Sequence, residues 1–191
     1  MAKIRERNVL LKEWRGDALK IALVYPNEYA AMSGLTIQTL YSLWNARSDV
    51  ICERFFLPPK DQRVTQTRSR SRHHQNPLAD NPGKFVPPLR SFESGMPLES
   101  FDIAAFSICY ELDFAHVCWI LDNGGIPILR SKRMEELERH ENNNFQNEIL
   151  HYPYVLVGGP VIRSNPFPIE PVYDAAYIGE IEPQSDQMIE Q

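Results

Sequence analysis

Two glycines and a proline, Gly158-Gly159-Pro160, directly follow the apolar run Tyr154–Val157. Because glycine has no Cβ, the backbone at such a place can lie flat against a ligand or adopt a positive φ. The same pattern is typical of a tight turn from a strand into a helix. The residues alone leave both interpretations open.

A second short segment has an equivalent position one apolar run later. Gly179-Glu180 follows Ala175–Ile178, and a backbone contact with a ligand is one interpretation of it. The other is the acidic first turn of a helix, which the helix dipole favours.

Polar and reactive side chains also follow the apolar run Ile103–Ile108. Tyr110 and Glu111 are candidates for lining a ligand crevice with an aromatic ring and a carboxylate. In the alternative interpretation, Asp113 caps the next helix while Cys109 and Tyr110 pack against their neighbours.

The elements that must position these residues can be predicted from periodicity. Short apolar runs bounded by turn formers predict buried strands, and apolar residues at helical spacing predict the helices between them. The strands are predicted at 20–25, 50–56, 103–108, 154–157 and 175–178, and the clearest helices at 33–44, with Ser33 as N-cap, and 113–121. A further apolar run at 126–129 makes the number of strands five or six, and a charged surface helix fragment is predicted within 133–148.

This alternation predicts an α/β fold: a doubly wound, mainly parallel, five- to six-stranded Rossmann-like or flavodoxin-like sheet in a three-layer sandwich. Such sheets bind ligands in the crevice beyond the carboxyl ends of their strands. All the segments singled out above follow strands, so we expect them at this one edge.

Several chemistries are excluded because their motifs are absent. The first strand is not followed by GxGxxG, and the sequence contains neither GxxxxGK[ST] nor GxSxG. The three cysteines form no CxxC or CxxxCxxC pattern. Of the five histidines, His116, His140 and His151 have no partner at metal-ligand spacing, and His73-His74 lie in a basic stretch where we expect them to be solvated. We therefore expect no metal site, no catalytic residues, and no dinucleotide or P-loop nucleotide site.

Charge is distributed unevenly along a chain whose net charge is −5. Residues 60–90 contain seven Lys or Arg and two Asp, and they lack an anchoring apolar pattern, so we expect a largely disordered insertion. Its run Arg68–Arg72 has no interleaved aromatic residue, so nucleic acid is not an expected partner. Residues 1–19 form an N-terminal extension, and residues 183–191 are predicted to begin a helix or linker.

No run of the chain approaches the ~20 apolar residues of a membrane span, and the first residues lack the apolar core of a signal peptide. We expect a cytoplasmic protein with no membrane partner.

The order of short motifs between Lys20 and Glu182 resembles a known family. These motifs are Ala22–Asn27, Met32–Leu35 with Leu40-Tyr41, Phe92–Gly95 with Pro97-Leu98, Phe101-Asp102, Phe106-Ser107, Tyr110–Leu112, Gly124–Pro127, Val157–Pro160 and Ile178–Glu180. Together they resemble the N-terminal cobalamin-binding-type domain of radical S-adenosylmethionine (SAM) proteins.

The resemblance implies an accessory domain that is not catalytic alone. In that family the domain precedes a partial barrel whose CxxxCxxC loop holds the 4Fe–4S cluster that cleaves S-adenosylmethionine. That motif is absent here, so cluster and S-adenosylmethionine are expected only in a following domain, and the expected partner is such a barrel in cis or in trans.

The candidate cofactor implied by the resemblance is cobalamin, held without histidine from the first loop, since Asn27–Gly34 contains none. Its nucleotide tail is expected near Gly158, Gly159 and Gly179. The ring is expected near a second set, namely Asn27, Ser33, Ser107 and Tyr110. Glu111, Pro160 and Glu180 complete the candidate binding residues.

Two other functions stay open. One is a Rossmann-like module without cofactor that acts in protein interaction or caps the barrel. Two features favour it: the first loop has no histidine, and Ile181 stands where the family has a second glycine. The other, a small hydrolase or transferase, lacks a nucleophile–base pair.

Overall fold

The computed structural model describes residues 6, 9–32, 34–60, 63, 89–142, 150–181 and 189. In chain order the strands are β1 (Leu19–Tyr25), β2 (Val50–Phe56), β3 (Ile103–Ser107), β4 (Tyr154–Gly158) and β5 (Ala175–Ala176). The α-helices are α1 (Thr36–Ala46), α2 (Asp113–Asn123), α3 (Arg130–Asn142) and α4 (Pro160–Ser164). Within the described residues, short 3₁₀ helices lie at Tyr29–Ala31, Leu98–Ser100 and Phe167–Ile169.

The five strands form one parallel sheet in the order β2-β1-β3-β4-β5. This confirms the predicted α/β fold of flavodoxin-like type. The strand order reverses between β1 and β3, which makes their carboxyl ends the switch point where such sheets bind ligands.

The sheet is covered on both faces, which explains why its strands are apolar almost throughout. On one face, Ala22, Val24 and Phe106 pack with Val117 and Ile120 of α2. On the other face, a cluster that we call the α1 cluster contains Ile21, Leu23, Tyr25, Ile37, Leu40, Tyr41, Trp44, Val50, Cys52 and Ala105. Two residues after β5, Ile181 and Ile189, also pack against the α1 cluster.

Several details differ from the sequence prediction. The run at 126–129 is not a strand but connects α2 to α3, and the strand predicted at 175–178 ends at Ala176. Helix α1 begins at Thr36 with Leu35 at its N-cap, whereas Ser33 lies outside the described residues. Gly124 is the C-cap of α2, as predicted.

Helix α3 is more than the predicted surface fragment, because Arg133 is only 2% exposed. Its guanidinium donates to the carbonyl oxygens of Pro127, Ile128 and Val172, and forms an ion pair with Asp174 at 3.0 Å. A buried cation of this kind is stable only when it is paired and hydrogen-bonded.

The described part of the N-terminal extension packs against α1 and β2. Lys12 Nζ donates to the carbonyl oxygens of Arg47 and Val50, and Trp14 Nε1 donates to Glu53. Most of the predicted insertion at 60–90, and 183–191 apart from Ile189, lie outside the described residues.

No helix in the described ranges has the length and apolar character needed to cross a membrane.

Candidate functional site

A groove of about 430 Å³ opens at the carboxyl edge of the sheet, on the face that α1 covers. Its floor is one row of the sheet, in which Leu23, Ala105 and Leu156 are register partners on β1, β3 and β4. The row nearer the edge contains Ser107 paired with Gly158. Ala105 and Ser107 are two residues apart on β3, a distance of about 7 Å along the strand. The groove therefore extends about 7 Å along the sheet from its carboxyl edge.

The groove is open because three of the sheet residues that line it, on β3 and β4, are small. Ala105, Ser107 and Gly158 occupy positions at which Leu or Val would fill the space. Helix α1 packs over β1 and β2 and supplies one wall through Thr36, Leu40 and Trp44.

The opposite wall is made by the chain after β4 and β5. It contains Gly159, Pro160, Arg163 and Ser164 of the first segment, and Tyr177, Gly179, Glu180 and Ile181 of the second. Six of the ten candidate binding residues from the sequence therefore line this groove: Ser107, Gly158, Gly159, Pro160, Gly179 and Glu180.

The two adjacent glycines have different surroundings. Gly159 has φ +105°, and a Cβ there would lie 2.5 Å from the carbonyl oxygen of Ile108. A Cβ on Gly158 would meet nothing closer than the Tyr177 carbonyl oxygen at 3.7 Å, an ordinary contact. The turn thus requires Gly159, whereas the absence of a side chain at Gly158 leaves space in the groove.

The mouth of the groove carries one charge of each sign. Arg163 Nη1 and Glu180 Oε1 are 3.8 Å apart, and both side chains are more than half exposed. Gly179 has φ +153°, a conformation that favours glycine, and it lies against the ring of Tyr177.

Trp44, a residue of the wall that α1 supplies, has an indole nitrogen that is buried in the protein. Trp44 is 1% exposed, and its Nε1 is the one buried side-chain N or O within the described ranges that has no hydrogen-bond partner. Buried polar groups are nearly always paired, so this atom needs an explanation.

Three other candidate residues, Asn27, Tyr110 and Glu111, lie in the loops after β1 and β3. Asn27 follows β1, and its Nδ2 donates to Oδ1 of Asp113 at 3.3 Å. Tyr110 is 56% exposed, and Glu111 is also exposed. The described residues that line the groove do not include Asn27, Tyr110 or Glu111. Ser33 lies outside the described residues.

One interpretation of the sequence, that Asp113 caps helix α2, is wrong. It is the first residue of α2, and Leu112 occupies the N-cap without a side-chain cap bond. Its Oδ2 accepts hydrogen bonds from the backbone N–H groups of Cys109 and Tyr110 instead. The carboxylate therefore fixes the loop after β3, and burial together with this charge raises the pKa of Cys109.

His116 joins helix α2 to the loop after β1. Its Nδ1 lies 2.9 Å from the carbonyl oxygen of Pro26, and because that oxygen only accepts, Nδ1 is the donor. In the part of the chain that is described, no three His, Cys, Asp or Glu side chains group as metal ligands.

Most of the other residues that line the groove were not singled out from the sequence, among them Thr36, Leu40, Trp44 and Arg163. The apolar residues of α1 recur at helical spacing, which predicts core packing and gives no sign of a cavity. Nothing in the sequence marks Arg163.

Residues 36–191 match a family model whose description is radical SAM proteins, N-terminal. No curated protein and no solved structure matches this chain. The match begins at the first residue of α1 and includes four of the five strands, β2 to β5. The chain therefore belongs to the family of N-terminal domains of radical SAM proteins.

Proposed function

We propose that this domain is a cofactor-binding accessory domain of a radical SAM iron–sulfur enzyme, and that its cofactor is cobalamin. The observation that carries the proposal is the groove beneath the carboxyl edge of β3 and β4. Its apolar floor and small residues suit a flat, elongated group such as the nucleotide tail of cobalamin.

The residues of the groove fit such a tail along its length. Leu23, Ala105 and Leu156 offer apolar surface to an aromatic base. At the mouth, the exposed Arg163 supplies a cation for the tail's phosphate.

The corrin ring would lie outside the groove, over the loops after β1 and β3. Asn27 and Tyr110 are at this edge, and the loop after β1 contains no histidine. The role of these residues is to hold the ring, and the cobalt would supply the capacity to carry a methyl group.

The partner in this proposal is the radical SAM barrel, and the surface it would cover is the same edge. Four large apolar side chains that follow strands β1, β3 and β5 are more than half exposed: Leu35, Tyr110, Leu112 and Ile178. Exposed apolar side chains grouped at one edge favour contact with another domain.

A second candidate is a module that caps the barrel without any cofactor. It is favoured by Ile181 and Ile189, which pack against the α1 cluster beside the groove. In that case the residues after β5 would complete the core, and the groove would hold no ligand.

Titration of the purified chain with hydroxocobalamin, followed by absorbance and calorimetry, separates the two candidates. The test variant is Ala105→Leu, which fills the floor of the groove, and the matched control is Ala46→Leu at an exposed position of α1. Saturable binding by wild type and Ala46→Leu, with loss in Ala105→Leu, supports the cobalamin proposal. Absence of binding by folded wild type refutes it and favours the capping module.

A further inference from the structure

The mouth of the groove carries two charged groups that the fold itself uses little. Arg163 Nη1 and Glu180 Oε1 lie 3.8 Å apart, which is longer than a hydrogen bond. Among the described residues, neither of these two side chains takes part in a hydrogen bond. The guanidinium of Arg133, by contrast, is engaged by three carbonyl oxygens and by Asp174. Both groups at the mouth are therefore available to a molecule that enters the groove.

The backbone holds both residues at the mouth. The N–H of Arg163 donates to the Gly159 carbonyl oxygen at 3.0 Å, in the last turn of α4. Tyr177 Oη donates to the carbonyl oxygen of Glu180 at 3.4 Å. Both residues line the groove, and their side chains are 63% and 79% exposed. The mouth thus presents a positively charged donor beside a negatively charged acceptor.

This pair of groups suits a ligand that has two different polar groups of its own. A ligand with only an anion at the mouth fits poorly, because Glu180 repels the charge that Arg163 attracts. A carboxylate only accepts hydrogen bonds, so its natural partner is a hydroxyl that donates. In a ribose phosphate with a free neighbouring hydroxyl, the adjacent ring carbons hold the phosphate and the hydroxyl side by side.

We infer that the mouth of the groove recognises a ribose phosphate, with Arg163 donating to the phosphate oxygens and Glu180 accepting from the hydroxyl next to the phosphate. This rests on the proposed function and adds a requirement to it. The ligand must continue from its flat base into a sugar phosphate with a free hydroxyl, and a base with a bare phosphate is not enough. Glu180 is then a specificity-determining residue.

Two forms of the detached cobalamin tail test the role of Glu180. One is dimethylbenzimidazole riboside phosphate, in which a free hydroxyl lies next to the phosphate. The other is its deoxy counterpart, in which hydrogen replaces that hydroxyl. In calorimetry at low ionic strength, the wild-type chain is expected to bind the first about fivefold more tightly, because only the first donates to the carboxylate.

Three variants locate this preference. Glu180→Ala removes the acceptor, so the two forms are expected to bind it with nearly equal affinity. Glu180→Gln keeps an acceptor oxygen and is expected to retain part of the preference. The matched control is Glu170→Ala, at an exposed position outside the described groove lining, which is expected to keep the whole preference. Glu180 and Glu170 are both exposed, so none of these changes removes core packing.

The role of Arg163 is measured with the phosphate. The wild-type chain is expected to bind dimethylbenzimidazole riboside phosphate about fivefold more tightly than the riboside without phosphate, and the preference should fall as salt is added. Arg163→Gln is expected to lose this preference. Arg139→Gln, on helix α3 and outside the described groove lining, is expected to keep it.

The outcomes separate the mouth from the groove. Equal binding of the ribose and deoxy forms by wild type, or a preference that persists in Glu180→Ala, overturns the role of Glu180 and leaves the tail-binding groove standing. Equal binding of the riboside with and without phosphate overturns the role of Arg163 in the same way. Binding of no probe to folded wild type overturns both the mouth and the groove proposals.

Discussion

Gly159 lies against the backbone of Ile108 so closely that no other residue fits there without a shift. The Cβ that another residue would add comes within 2.5 Å of the Ile108 carbonyl oxygen and 2.9 Å of its nitrogen. Gly158, its neighbour, has no such contact. One glycine therefore shapes the turn after β4, and the other keeps the groove open.

This contrast predicts that two alanine substitutions differ strongly in their effect on stability. Gly159→Ala is expected to lower the free energy of unfolding by about 2–5 kcal/mol, because it combines a positive φ with a backbone clash. Gly158→Ala is expected to change it by less than about 1 kcal/mol. Urea denaturation measures both, and equal destabilisation by the two variants would contradict the assignment of roles.

Arg133 is predicted to be a major contributor to stability although it is a charged residue on a helix. Arg133→Met leaves three carbonyl oxygens without their donor and Asp174 without its ion pair, and should cost about 3–5 kcal/mol. The control Arg139→Met removes an exposed pair with Glu135 on the same helix, which is worth less than about 1 kcal/mol. Thermal denaturation that ranks the two variants equally would refute this account.

Glu6 gives the fold a pH dependence through Arg54. Arg54 is fully buried, and its Nη2 donates to Glu6 Oε2 at 2.6 Å. Burial acts to raise the pKa of Glu6, but hydrogen bonds from Arg54 and Tyr29 outweigh it, and the net pKa lies below the ordinary 4.5. The Glu6 carboxylate therefore stabilises the fold above about pH 4.5, and this contribution is lost as pH falls through its lowered pKa.

Glu6→Gln is accordingly expected to cost about 1–3 kcal/mol at neutral pH and progressively less below pH ~4.5. The control is Glu13→Gln, at an exposed position in the same extension. Urea denaturation across this range checks the prediction, and a cost for Glu6→Gln that does not change with pH would count against the ion pair as its cause.

The fold was predictable from the sequence because buried parallel strands and amphipathic helices leave strong periodic signals. The strand at 50–56 and the end of α2 at Gly124 were predicted correctly for this reason. The short β5 was predicted too long, since only Ala175 and Ala176 pair with β4. Asp113 was given a capping role because a carboxylate at a helix start usually caps, but here it binds the preceding loop.

The candidate site was less predictable than the fold. The turns after β4 and β5 were marked by glycines, and the structure brings them to one groove. Trp44 carried no signal of this kind, because a tryptophan on the apolar face of a helix is expected in a core. Its unpaired nitrogen is visible only once the neighbouring atoms are placed.

The central claim, that the groove holds the tail of cobalamin, is tested most directly by comparing cobalamin with cobinamide, which has the corrin ring and no nucleotide tail. Calorimetric titration of the same folded chain with each compound gives the two affinities. If the groove binds the tail, cobalamin should bind at least about tenfold more tightly, because only it buries an aromatic base on Leu23, Ala105 and Leu156. Equal affinities for the two compounds would contradict the claim.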